Sequence, residues 1–292
     1  MEGKMKLRSY VSYIASMMIF GTIGIFVVNI PASRPFVSLI RGLLGSIFLL
    51  LVSLISGKRP SIKAIKKNFL ALFVSGALIG VNWILLFESY KYASVAASTL
   101  IYYLAPVFVL ILAAIFLGEK ITLVRAICAA FAVLGMLLIS GTGEGSLLAL
   151  GAAMLYATVV LINKRFIRDI SSLDTTIMQL GFAALTILPY TLITENIFAY
   201  RFDVSEWILL VLLGILHTGI AYLLYFSAVK ELKGQTVAIV SYLDPTVAVI
   251  LSFVIEKSFS PIVLVGAIVI IASAVLSEIF GDRYIFKSKD KI

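Results

Sequence analysis

A single cysteine, a single histidine and a charged fraction of 13% leave this 292-residue chain with few of the usual means of chemistry. One cysteine supports neither a disulfide framework nor a CxxC metal site, and Cys128, inside an apolar run, reads as a small buried residue. One histidine leaves no HExxH zinc motif, there is no paired acidic motif, and no nucleophile has a local base. An enzyme, a metal and a prosthetic group are therefore not expected. The shortage of charge excludes most: 61% of the residues are hydrophobic, so the charged shell that a soluble domain needs is missing. Such a chain has hydrocarbon as its solvent, where a helix needs ~20 apolar residues to cross a core of roughly 30 Å.

What is present is a series of apolar stretches separated by charged or Gly/Pro-rich breaks. Ten are expected, at about 10–30, 36–56, 69–90, 94–117, 121–140, 146–164, 172–194, 206–229, 235–255 and 260–280. Lys4, Lys6 and Arg8 before the first stretch resemble a signal peptide, but the stretch is too long for an h-region and no A-x-A site follows. It reads as a retained first helix.

The net charge of +9 is a topology signal. With the N-terminus inside, nineteen of the 24 lysines and arginines fall in cytoplasmic segments and four (Arg34, Lys91, Arg201, Lys257) in outer ones; the remaining one is Arg41. An odd number of spans spoils this split. The expectation is a multi-pass plasma-membrane protein with basic cytoplasmic tails, residues 1–9 and 281–292, and no nucleic-acid partner.

The chain also repeats itself. Tyr103-Leu104-Ala105-Pro106 recurs as Tyr242-Leu243-Asp244-Pro245, an offset of 139. Leu86-Phe87 matches Tyr225-Phe226, Gly76 matches Gly214, and Phe20-Gly21-Thr22 faces Tyr156-Ala157-Thr158. The copies occupy residues 10–140 and 146–280, five helices each. Five is odd, so the second copy starts from the opposite side of the membrane. The expected fold is all-α and integral to the membrane, ten helices in two inverted-topology repeats, a recurring plan of secondary transporters with a midplane substrate site.

Ten helices in two copies, with Tyr-Leu-x-Pro in the fourth and ninth and Leu117-Gly118-Glu119-Lys120 after the fourth, resemble the EamA-type branch of the drug/metabolite transporter superfamily. The likeness spans about residues 10–280; Ile255-Glu256-Lys257-Ser258 departs from the turn of the first copy. The resemblance implies export or exchange of amino acids and related small metabolites without ATP or a cofactor. A translocator of lipid-linked or sugar-conjugated metabolites is the alternative, and a membrane enzyme a more distant one.

Ionisable groups inside hydrocarbon are costly and usually face a cavity or each other. Here they are Arg41, Glu88, His217 and Asp244. Asp244 precedes Pro245 in the ninth span, and its counterpart is Ala105, so the fold itself does not require the acid. It can carry a proton, bind a substrate ammonium, or cap loosened backbone. His217 can couple a proton, bind substrate or merely pack. Arg41 and Glu88 both lie in the outer half, where they either form an ion pair or Arg41 receives a substrate carboxylate. The mirror position of Arg41 is Gln179. Tyr102, Tyr103, Tyr156, Tyr222, Tyr242, Asn82 and Trp83 are candidate cavity lining, with belt or packing roles as the alternative. Pro106 and Pro245 each remove a helical hydrogen bond and are expected as kinks. Gly76-x-x-x-Gly80 reads as close helix packing.

Overall fold

The computed structural model describes residues 2–118, 121–139, 143–229, 232, 240–255 and 261–280, and the side chains of all of these except 2–6, 139, 229 and 278. Lys120, Lys230, Lys233, Lys257, the tail 281–292, the turn acids Glu119 and Glu256, and linker residues 141 and 142 lie outside the described residues, as do the side chains of Lys4 and Lys6.

All regular structure among the described residues is helical. In hydrocarbon this follows from the backbone, because each peptide group must find its partner within its own segment. Seven segments are long and apolar enough to cross a membrane: Leu7–Val28, Arg34–Ile55, Phe69–Ser89, Val95–Leu117, Glu144–Phe166, Ser172–Thr194 and Val204–Ala228. The other three apolar stretches appear as shorter helices, Leu123–Leu138, Leu243–Ile255 and Pro261–Ser277. The basic stretch before residue 10 is helical as well, since the first helix starts at Glu2.

Several long segments are interrupted. The first is α1 (Glu2–Gly21) and α2 (Ile23–Val28), broken at Thr22. Next come α3 (Arg34–Ile55), the short α4 (Ile62–Lys67) and α5 (Phe69–Ser89). The fourth stretch divides into α6 (Val95–Tyr102) and α7 (Ala105–Leu117). Then follow α8 (Leu123–Ile139), α9 (Glu144–Phe166) and α10 (Ser172–Thr194). A π-helical segment, Ile215–Ile220, joins α11 (Val204–Gly214) to α12 (Ala221–Val229). α13 (Leu243–Ile255) and α14 (Pro261–Phe280) close the series.

Local sequence sets many of these ends. Ser33, Ser94 and Ser171 cap α3, α6 and α10 by accepting from the amides of Phe36, Ala97 and Asp174. Asp203 and Glu206 form a capping box at α11. Gly118 ends α7 in the left-handed region at φ 67°, where a Cβ is disfavoured. Pro106 and Pro245 sit in the first turns of α7 and α13. There a missing N–H costs little, so they mark helix starts and not kinks within continuous helices.

The helices pair as α3 with α10, α5 with α9 and α10, α1 with α12 and α13, α9 with α6 and α7, α3 with α11, α6 with α13, and α8 with α14. Glycine brings α5 and α10 close. A Cβ on Gly76 would stand 2.6 Å from the Phe182 Cβ and 2.8 Å from the Gln179 carbonyl oxygen, atoms that side-chain rotation cannot move. Gly76→Ala should therefore lower stability by about 1–3 kcal/mol, read as a lower thermal midpoint in detergent. An unchanged midpoint would contradict this packing. Large apolar side chains such as Ile55, Leu70 and Ile193 stay exposed, as expected of a surface that faces lipid.

Both ends of α10 are tied by polar contacts, one to the α4–α5 junction and the other to the start of α3. At one end Asn68 donates from Nδ2 to the Arg168 carbonyl at 2.9 Å and accepts from the Arg168 amide at 3.0 Å. Beside it Lys67 bonds Asp169 at 2.7 Å. The hydrogen bond and charge of Lys67 hold the Asp169 carboxyl below its ordinary range, so this bridge persists through neutral pH and is lost as pH falls through that lowered value. At the other end the Glu195 carboxylate accepts from Ser33 Oγ at 2.5 Å and from the Tyr200 hydroxyl at 2.9 Å.

Candidate functional site

The helix interruptions meet in the interior. A Cβ on Gly21, beside the Thr22 break, would stand 2.6 Å from the Asp244 carbonyl oxygen, so α1 lies directly on the start of α13. Asp244 occupies the first turn of α13, where the helix dipole favours negative charge. Its Oδ2 accepts a hydrogen bond from the hydroxyl of Tyr103, the residue at the α6–α7 break. The two Tyr-Leu-x-Pro motifs thus contact each other. Close by, the Tyr13 hydroxyl and Ser241 Oγ are 2.7 Å apart.

His217 and Thr218 lie in the π segment, and both reach the carbonyl five residues back: His217 Nδ1 to Leu212 at 3.1 Å and Thr218 Oγ1 to Leu213 at 2.9 Å. Such i→i+5 insertions frequently mark functional positions. The other ring nitrogen, Nε2, is 2.8 Å from Thr22 Oγ1 at the break in the first segment. Phe26 packs on the imidazole at a centroid distance of 4.4 Å. A carbonyl can only accept, so the Leu212 contact calls for the proton on Nδ1 in the neutral ring. Nε2 then accepts from Thr22, whose single hydroxyl proton is shared between Nε2 and the Ile19 carbonyl, 2.7 Å from the same oxygen. Nitrogen-15 NMR of this sole histidine should show the Nδ1–H tautomer, and an Nε2–H spectrum would contradict the geometry.

Arg41 is 4% exposed and donates from Nε to Thr218 Oγ1 at 2.8 Å. Its Cζ lies 4.4 Å from the ring centroid of Trp83 and 5.6 Å from that of Phe87. The terminal nitrogens form no hydrogen bond among the described residues. Of the two readings of Arg41 and Glu88, the ion pair is not formed: Glu88 bonds Lys91 at 2.6 Å, near the end of α5. The reason is local, since Lys91 is three residues along the same chain and outside the apolar interior. Arg41 is instead within electrostatic reach of Asp244, with no direct bond between them. A buried guanidinium and a half-buried carboxylate thus lie within electrostatic reach of each other, each with hydrogen-bonding capacity to spare among the described residues.

Aromatic rings cluster around these groups. Tyr102 lies 6.3 Å from Tyr103 and 5.8 Å from Tyr156, and Tyr222 meets Phe20 edge-on at 5.2 Å. Tyr156 is 44% exposed, with its ring 5.8 Å from that of Tyr102. Tyr242 is half-buried, with its carbonyl bonded to Thr246.

Other anticipated residues have bridging roles. Asn82 donates to the Ala152 carbonyl at 2.6 Å, tying α5 to α9. Gln179 donates to Ser75 and Asn163, both at 2.7 Å, away from Arg41. Tyr13, Thr22, Thr218 and Ser241 join the cluster without having been singled out. The consecutive His217-Thr218-Gly219 in mid-segment was the available signal for the π insertion.

An all-helical chain with apolar spanning segments, helix breaks and an internal polar cluster is the build of a membrane transporter. The chain belongs to the EamA-like transporter family, whose model matches it twice, over residues 7–141 and 143–279. This is a branch of the drug/metabolite transporter superfamily. An uncharacterized transporter, YxxF, from Bacillus subtilis (strain 168) is 34% identical over 267 residues, covering 87% of this chain and 83% of that one. Protein PecM of Dickeya dadantii (strain 3937) is 25% identical over 303 residues, covering 99% and 96%. A chain solved by crystallography shares the fold with a TM-score of 0.67 at 20% identity, covering 96% of this chain and 98% of that one.

Proposed function

We propose that this protein is a secondary exporter or facilitator of amino acids or closely related small metabolites, working by alternating access through the space around Asp244 and Arg41. One observation carries the reading: a buried guanidinium whose terminal nitrogens have no hydrogen bond among the described residues lies within electrostatic reach of a carboxylate that, among those residues, accepts only from Tyr103, with aromatic rings around them. A zwitterion offers the matching charges, its carboxylate to the guanidinium fork and its ammonium to Asp244 and the surrounding rings.

The proposed architecture is ten spans in two inverted five-helix repeats, residues 10–140 and 146–280, with both termini cytoplasmic in the plasma membrane. The pairing of helices supports it. Exchanging the repeats turns the α5–α9 contact into α12–α1, the α9–α6 contact into α1–α13, and the α5–α10 contact into α11–α3, all of which occur. The α3–α10 and α8–α14 pairs map onto themselves. The polar ties among Asn68, Arg168, Lys67 and Asp169 and among Ser33, Glu195 and Tyr200 occupy opposite ends, where gates are needed. Under this reading Asp244 or His217 also couples a proton to transport.

The test is counterflow of a radiolabelled mixture of L-amino acids into proteoliposomes preloaded with the same unlabelled mixture. Accumulation above that of protein-free liposomes is expected, and its absence would overturn the amino-acid reading.

A further inference from the structure

The interior around Arg41 and Asp244 does not account for a second buried guanidinium on the same helix. Arg34, at the Ser33 end of α3, is 9% exposed, and its NH1 donates to the Val27 carbonyl at 2.7 Å. Its Nε is buried without a partner. Ser38, one turn further in, is 0% exposed, and its hydroxyl has no partner either. Arg34, Ser38 and Arg41 follow at i, i+4 and i+7, the spacing of one helix face, with the two guanidiniums ~10 Å apart along the axis.

Neither arginine has an acidic partner among the described residues. Glu88 is the carboxylate within electrostatic reach of Arg34, and Lys91 engages it instead. Tyr90 stands within electrostatic reach of both arginines, with its ring 6.0 Å from that of Phe87. Unpaired charge and unsatisfied hydroxyl are both costly in a buried setting, and here they line one face. Donors with nothing to receive them fit a site whose acceptor comes and goes.

We propose that Arg34 and Ser38 form a second carboxylate subsite, through which the anionic end of a substrate passes between Arg41 and the Ser33 end of the bundle. This rests on the reading of Arg41 as the inner carboxylate site. A guanidinium supplies a planar fork and Ser38 a single O–H donor, together suited to a carboxylate group. Val27 occupies one arm of Arg34, so this subsite is weaker than Arg41 and releases its ligand more readily. Arg34 then sets affinity on one side of the membrane more than on the other.

Acetate is the probe, because it carries the proposed chemistry without the rest of a substrate. The purified full-length protein is melted while sodium acetate replaces sodium chloride at constant ionic strength. The wild type should show a rise in thermal midpoint that needs two saturable components. Arg34→Gln should remove the weaker component, Arg41→Gln the tighter one, and Ser38→Ala should weaken the Arg34 component several-fold. Ser38→Ala breaks no hydrogen bond of the fold, so it serves even if Arg34→Gln folds poorly. Wild-type responses from Arg34→Gln and Ser38→Ala overturn the subsite while leaving Arg41 standing. A response that loses nothing in Arg41→Gln overturns the inner site on which this inference rests. A response that survives in the double arginine variant is unspecific anion binding and overturns both.

Discussion

Asp244→Asn should weaken substrate binding by about 2–5 kcal/mol, the range for removing one partner of a buried charge pair, or roughly thirtyfold to several thousandfold. Asparagine has nearly the same shape and keeps an oxygen that accepts from the Tyr103 hydroxyl, so the junction of the two Tyr-Leu-x-Pro motifs survives. What it loses is the charge facing a substrate ammonium. Tyr103→Phe separates the contributions: it leaves the carboxylate and removes only its orienting donor, an effect of about 1–2 kcal/mol. Direct binding measured beside counterflow decides which role Asp244 plays. Weak binding and weak exchange together mark an ammonium anchor. Normal binding and exchange with loss of concentrative transport mark a proton carrier, and an unaffected protein makes the residue structural.

Arg41→Gln should change stability and transport in opposite directions. Substrate binding should fall at least a hundredfold, because a bidentate, charge-assisted contact is lost in a water-poor site. The thermal midpoint should stay level or rise, because a buried charge without an acidic partner leaves the interior. An arginine kept for structure gives the reverse: a lower midpoint and little loss of binding. Arg41→Lys should resemble Gln more than the wild type in binding. Lysine keeps the charge but loses the Nε bond to Thr218, the planar fork and its stacking over Trp83.

The sequence announced the helices through hydropathy alone, since in lipid nothing but a helix satisfies an apolar run of that length. It also announced the junction of the site, because Tyr-Leu-x-Pro stands out when it recurs and Asp244 stands out inside the second copy. Interruptions within the helices were harder to see. The Thr22 break and the π insertion at Ile215–Ile220 arise where side chains of separate segments complete each other, as Thr22 and His217 do over 195 residues of sequence. Periodicity carries no trace of such pairing. The sequence left the Arg41–Glu88 pairing open beside substrate binding, and the structure does not form it. Depth in the membrane made the two seem natural partners, but Lys91 reaches Glu88 within one helical turn and Arg41 points inward to Trp83.

The most direct measurement is equilibrium binding, by calorimetry in lipid nanodiscs, of three molecules that differ only in charge: leucine, leucinamide and 4-methylpentanoate. If Arg41 and Asp244 receive the two ends of a zwitterion, leucine or the corresponding parent of another such trio binds at least tenfold more tightly than either singly charged relative. In Arg41→Gln the advantage over the amide should vanish, and in Asp244→Asn the advantage over the acid. Amide or acid binding as tightly as its parent amino acid across several such trios would contradict a zwitterion site.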